Sequence, residues 1–69
     1  MGLRDRFAHN LKRLRLERCF SQEALADACG IDRTYVSALE HSRYSASIDM
    51  VERLARALDV DPVELLLRR

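Results

Sequence analysis

Ser21-Gln-Glu-Ala-Leu-Ala-Asp-Ala-Cys-Gly-Ile-Asp-Arg-Thr-Tyr-Val-Ser-Ala-Leu-Glu40 decides how this chain folds. Ser21 and Asp32 each stand just before an apolar-periodic run, and both side chains can accept a hydrogen bond from an unpaired N–H at a helix start. Gly30 stands where the first helix must stop in a left-handed conformation. Two caps and one glycine give two short helices joined by a tight turn, a helix-turn-helix. Ala26 falls where the helices cross and only a small side chain permits close approach, while Ile31, Val36 and Leu39 supply the apolar contacts that hold the crossing angle.

The second of these helices has an informative outer face. At about 100° per residue, Val36 and Leu39 define its buried side, and Thr34, Ser37, Ala38 and His41 fall opposite. Arg33 lies on one edge of that face and Tyr35 on the other. Small outward side chains let a helix backbone settle into a DNA major groove, where Arg33 can reach guanine O6 and N7 with two parallel hydrogen bonds. Thr34 can contact a phosphate, a base edge or a thymine methyl. Gln22 and the free N–H groups at the start of the first helix point outward, where the positive helix end can hold a phosphate. A helix facing only solvent would share this small polar face, so the pattern by itself admits both readings.

Outward from this centre, Phe7, Leu11 and Leu14 recur at intervals of four and three and make one apolar stripe on a helix running from residue 3 or 4 to 18. Leu16 lies off the stripe and is expected to be exposed. Phe20 can staple the start of the helix that Ser21 opens against Leu25. Residues 41 to 46 form a short polar loop in which Arg43 and Tyr44 are phosphate-contact candidates. Ser47 caps a fourth helix whose core face is Met50, Val51, Leu54, Ala55 and Leu58. Asp61-Pro62-Val63-Glu64 reads as the start of a short fifth helix, with an N-cap, a proline at the first position and a glutamate three residues after the cap. Val63, Leu65, Leu66 and Leu67 span more of its circumference than one core contact requires. Val63, Leu66 and Leu67 are therefore candidates for a subunit interface, against the simpler alternative that the segment only closes the monomer core.

Composition narrows the functional class. Sixty-nine residues, 48% of them hydrophobic and 33% charged, make one helical domain (1–69) too small for a deep substrate cavity. The net charge of +1 hides an uneven distribution: residues 1–20 carry six basic side chains against two acidic, whereas residues 21–46 carry two against four. Affinity from phosphate neutralisation scales with the number of basic contacts, so modest binding per monomer is expected. Cys19 and Cys29 show no CxxC or Cys/His spacing of a metal site, and Cys29 reads as a buried core thiol. No run reaches the length of a membrane span and no signal segment opens the chain, which points to a cytoplasmic protein. His9 and His41 stand without a partner histidine or a neighbouring nucleophile, and no glycine-rich phosphate loop occurs, so neither catalysis, a small-molecule substrate nor a cofactor is expected.

These residues resemble the helix-turn-helix repressors of the Cro and lambda-repressor type, the XRE family, over nearly the whole chain. The match runs through Leu11-Lys-Arg-Leu-Arg15, Ser21-Gln22-Glu23, Leu25-Ala26, Gly30-Ile31, Arg33 to Glu40, Ser47 and Leu54-Ala55. The Asp32-Arg33-Thr34-Tyr35 run resembles the recognition helices of small restriction-modification controller proteins. The resemblance implies an all-α, five-helix, lambda-repressor-like domain that binds double-stranded DNA as a transcriptional regulator and works as a homodimer. It implies that Arg33, Thr34, Ser37 and Ala38 face the bases, and that Gln22 holds a phosphate; Tyr35 and His41 join Arg43 and Tyr44 as further backbone-contact candidates. It also implies that Arg15 pairs with Glu40, from a position where it can also reach a phosphate. Where Cys19 and Ser42 stand the family usually has glycine, and where Ala46 stands, proline. The competing reading is an antitoxin or adaptor whose main partner is another protein, which the leucines near the end of the chain would serve equally well.

Overall fold

A computed structural model describes residues 2–68. Four α-helices run in order: α1 Leu3–Glu17, α2 Gln22–Cys29, α3 Arg33–Glu40 and α4 Ile48–Leu58. The described residues contain no strand, so the all-α class holds. The three caps act as their side chains dictate. Ser21 Oγ accepts from Ala24 N at 3.0 Å, Asp32 Oδ1 from Thr34 N at 2.8 Å and Ser47 Oγ from Met50 N at 3.0 Å.

The expected fifth helix is instead one 3-10 turn, Pro62–Leu65. Its start signal works, since Asp61 Oδ1 accepts from Val63 N at 2.9 Å with Pro62 in the first turn. Four residues do not repay the cost of nucleating an α-helix, and two carbonyls here are drawn elsewhere. Asn10 Nδ2, from α1, donates to Leu65 O at 3.0 Å and to Leu67 O at 2.7 Å.

All four helices stop the same way, around one left-handed residue followed by a backbone bond that reaches back five positions. Gly30 does this for α2 at φ 69°, with Ile31 N donating to Ala26 O at 3.0 Å. Cys19, Ser42 and Asp59 do it for α1, α3 and α4 at φ 60°, 60° and 57°. The matching bonds are Phe20 N to Arg15 O, Arg43 N to Ala38 O and Val60 N to Ala55 O, at 3.0, 2.9 and 3.0 Å. The glycine implied at Cys19 and Ser42 by family resemblance thus corresponds to a backbone that asks for glycine.

The core gathers one face of each element. Leu11 and Leu14 of α1, Leu25 and Ala26 of α2, Val36 and Leu39 of α3, Leu54 and Leu58 of α4, and Leu65 of the final turn are all buried. Leu16 is exposed, and Phe20, Ile31, Met50 and Val51 pack half-buried on the rim. Cys29 is buried at the α2–α4 junction, where its Sγ lies 3.9 Å from Arg53 O and Arg53 Nη1 donates to Cys29 O at 3.4 Å. Burial pushes its thiol up from the ordinary range, against a smaller opposing pull from Arg53, so it stays protonated. The packing leaves the outer face of α3 uncovered.

Candidate nucleic-acid interface

With Val36 and Leu39 turned fully into the core, α3 presents its opposite side to solvent. Arg33 and Thr34 are exposed there, and Ser37 and Ala38 lie half-buried beyond them. Among the described residues the Arg33 guanidinium makes no hydrogen bond or ion pair, so its donors are free for an incoming acceptor. Thr34 is more constrained. Its Oγ1 donates to Asp32 Oδ1 at 2.7 Å, beside the cap bond to the same oxygen. Those two bonds, the hydroxyl's first, hold the Asp32 carboxyl below the usual carboxylate range.

At the far end of α3, His41 Nδ1 lies 2.8 Å from Ser37 O. A carbonyl only accepts, so Nδ1 carries the hydrogen in this contact. Tyr35 is half-buried and its ring lies 6.3 Å from that of Tyr44 at a tilt of 40°, an aromatic contact that ties the loop after α3 to the helix. Arg43 and Tyr44 are exposed on that loop.

Behind this face lies a polar network that draws three helices together. Arg15 Nε donates to Glu40 Oε2 at 2.6 Å and Nη2 to Glu40 Oε1 at 3.2 Å, a two-pronged pair whose Glu40 side chain is 2% exposed. Arg15 Nη1 donates to Phe20 O at 2.9 Å. With three of its nitrogens engaged and the residue buried, Arg15 is a structural strut between α1 and α3 and is not presented to a phosphate. Gln22 belongs to the same network, because its Nε2 donates to Glu40 Oε1 at 3.1 Å. An ionised carboxylate can only accept, which fixes the amide with its nitrogen inward and leaves one N–H for an outside partner.

Other basic residues of the first twenty are partly committed. Arg13 pairs with Glu17 at 3.1 Å along α1, and Arg18 Nη2 donates to Asp59 O at 3.2 Å, at the end of α4. Exposed Arg4 and Lys12 make no ion pair among the described residues.

On the closing segment, Val63, Leu66 and Leu67 are exposed while Leu65 is fully buried. Leu66 borders a shallow depression of about 260 Å³ lined also by Leu3, Phe7, Ala46 and Val51. Exposed Leu3 and Ile48, the latter 87% accessible, add to the uncovered apolar surface and have no counterpart among the sequence-derived candidates. Asn10 is another residue the sequence does not single out. It follows Phe7 by three and precedes Leu14 by four, so its place in the α1 stripe is the available signal. Among the described residues no cluster of three or more His, Cys, Asp or Glu side chains could share a metal ion, and no helix is long and apolar enough to cross a membrane.

Known proteins are similar to this chain in sequence and fold. The family described as Helix-turn-helix matches residues 11–65. A hypothetical transcription factor of Neisseria meningitidis serogroup B is 45% identical over 65 residues, which are 94% of this chain and 61% of that protein. The control protein C.BamHI of Bacillus amyloliquefaciens is 37% identical over 66 residues, 94% of this chain and 82% of that one. Among solved structures, the restriction-modification controller protein C.AhdI of Aeromonas hydrophila superposes with a TM-score of 0.86 at 39% identity, covering 90% of this chain and 94% of that chain. This chain thus spans about three fifths of the Neisseria relative and most of the two control proteins.

Proposed function

This chain belongs to the helix-turn-helix family, and from that membership we propose that it is a transcriptional regulator that binds double-stranded DNA as a homodimer, with α3 in the major groove of each half of an inverted repeat. The observation that carries this reading is the uncovered face of α3, with one unpaired arginine at its N-terminal end and small side chains behind it. Arg33 reads guanine, and Thr34, Ser37 and Ala38 line the rest of the base-facing surface. Gln22, Tyr35, His41, Arg43 and Tyr44 hold the sugar-phosphate backbone. The Gln22 amide supports this by keeping one N–H to spare.

Similarity to C.BamHI and C.AhdI supports a narrower role of the restriction-modification controller kind. No step of the reading calls for catalysis or a cofactor, and its setting is the cytoplasm.

Separating base contacts from phosphate contacts tests the assignment. Arg33→Ala should cost about 1–3 kcal/mol on the preferred duplex and little on unrelated DNA, whereas Arg43→Ala should weaken all duplexes alike and flatten the salt dependence. Equal losses on preferred and unrelated DNA for Arg33→Ala, measured by titration at several salt concentrations, would remove Arg33 from the base-reading set.

A further inference from the structure

Resting on the proposed DNA-binding function, we infer that Asp32 fixes the hydroxyl of Thr34 as a hydrogen-bond acceptor, so that Thr34 selects a base pair presenting an amino group in the major groove, adenine N6 or cytosine N4. One proton decides what Thr34 can offer. Thr34 Oγ1 lies 2.7 Å from Asp32 Oδ1, which also takes the Thr34 backbone N–H at 2.8 Å. An ionised carboxylate has no hydrogen to give, so the hydroxyl must donate. A threonine hydroxyl has a single hydrogen, and what remains on Oγ1 is lone pairs.

That commitment decides among the partners open to Thr34. Phosphate oxygens carry no hydrogen, so they offer nothing to a hydroxyl whose own hydrogen is held, and the Asp32 charge beside it repels them. Guanine O6 and N7 and thymine O4 are likewise acceptors. Turning the hydroxyl toward one of them would exchange a charge-assisted bond for a weaker neutral one. Adenine N6 and cytosine N4 are the donors on the major-groove edge. The first turn of α3 therefore makes two opposite demands: Arg33 offers only donors, and Thr34, with its neighbour Asp32, offers only acceptors.

The test is selection of bound duplexes from a random pool by the full chain and by Thr34→Val, Thr34→Ser and Asp32→Gly. Valine keeps the shape and a methyl but loses the acceptor, serine keeps the acceptor, and glycine is a tolerated N-cap that frees the hydroxyl. The wild type and Thr34→Ser should prefer adenine or cytosine at one position of each half-site. Thr34→Val should lose that preference, and Asp32→Gly should widen it to guanine and thymine.

Replacing the selected adenine by purine, or the selected cytosine by pyrimidin-2-one, deletes the amino group and distinguishes the two sources. Wild-type affinity should then fall about two- to tenfold, with no change for Thr34→Val. Equal losses for wild type and Thr34→Val, or an unaltered preference in Asp32→Gly, overturn the inference. So does a wild type that ignores the amino deletion but weakens when a thymine is replaced by uracil, since the methyl would then be the group read. If Arg33→Ala loses its guanine preference while every Thr34 variant behaves as wild type, this inference alone falls. If no duplex is bound at all, the proposed function falls with it.

Discussion

Single residues carry strain and charge that can be measured directly. Cys19 and Ser42 hold left-handed backbones at φ 60° with a Cβ attached, a conformation that disfavours side chains other than Asn and Asp and suits glycine. Cys19→Gly and Ser42→Gly should each raise stability by about 1 kcal/mol, less what glycine's greater freedom in the unfolded chain takes back. Urea unfolding with an unchanged m-value is the check, and Asp59→Gly, starting from a residue that tolerates this region, should gain less. Asp32 gives a pH signature. Its carboxyl is held below the ordinary range in the folded state by the Thr34 hydroxyl and N–H, so its contribution is present above the unfolded pKa and is lost as pH falls through the folded one. Wild type should therefore lose stability more steeply than Asp32→Asn as pH falls through and below the ordinary carboxylate range, as followed by thermal melts. Parallel curves would show that the cap does not titrate with folding. Ser21, Gly30 and Asp32 are legible in the sequence because each acts on backbone within three residues of itself. Asn10 is not, because its partners are the carbonyls of Leu65 and Leu67, more than fifty residues away, and an amide on an apolar stripe gives no sign of which distant backbone it will satisfy.

A buried ion pair joins α1 to α3. Arg15 and Glu40 match the family resemblance by position, and the side chains meet at 2.6 Å; Gln22 is legible in the sequence only as an outward group, and its bond to Glu40 depends on how α2 lies across α3. That crossing is a tertiary fact which local spacing does not encode. Glu40→Ala leaves the Arg15 guanidinium buried beside the Phe20 carbonyl with its charge uncompensated, and removing one member of a buried pair costs about 3–5 kcal/mol. Changing both residues to alanine should cost less than the sum of the two single changes. Denaturation of the four proteins gives the coupling, and additive losses would mean that the pair contributes nothing beyond its separate packing. The end of the chain shows the converse limit. Asp61-Pro62-Val63-Glu64 specifies a helical start, but how far a start propagates depends on the residues after it and on competing partners, and Asn10 claims two of the carbonyls at once.

The Cα trace of the described residues extends over 28 × 22 × 21 Å, and so small a domain bears on how DNA is read. One eight-residue helix reaches only a few base pairs, and a net charge of +1 gives little affinity through phosphates alone. Successive major-groove faces on one side of B-DNA lie about 34–36 Å apart. A single copy offers one α3, while two copies related by a two-fold axis can place one α3 in each groove and turn a weak half-site contact into a joint one. Such a dimer needs an apolar surface away from α3, and the exposed Val63, Leu66 and Leu67, with Leu3 and Val51 beside Leu66, supply the material for it. A carboxylate introduced there would have to be buried without a partner, at a cost that disfavours association. Leu66→Glu or Leu67→Glu should therefore sediment as a monomer where the wild type is a dimer, and should bind the full inverted repeat no more tightly than one half-site. Both variants change exposed positions, so their helical signal and melting should stay close to those of the wild type. A wild type that stays monomeric at tens of micromolar and holds one half-site as tightly as the repeat would place recognition in the single domain, and the leucines would then need another partner.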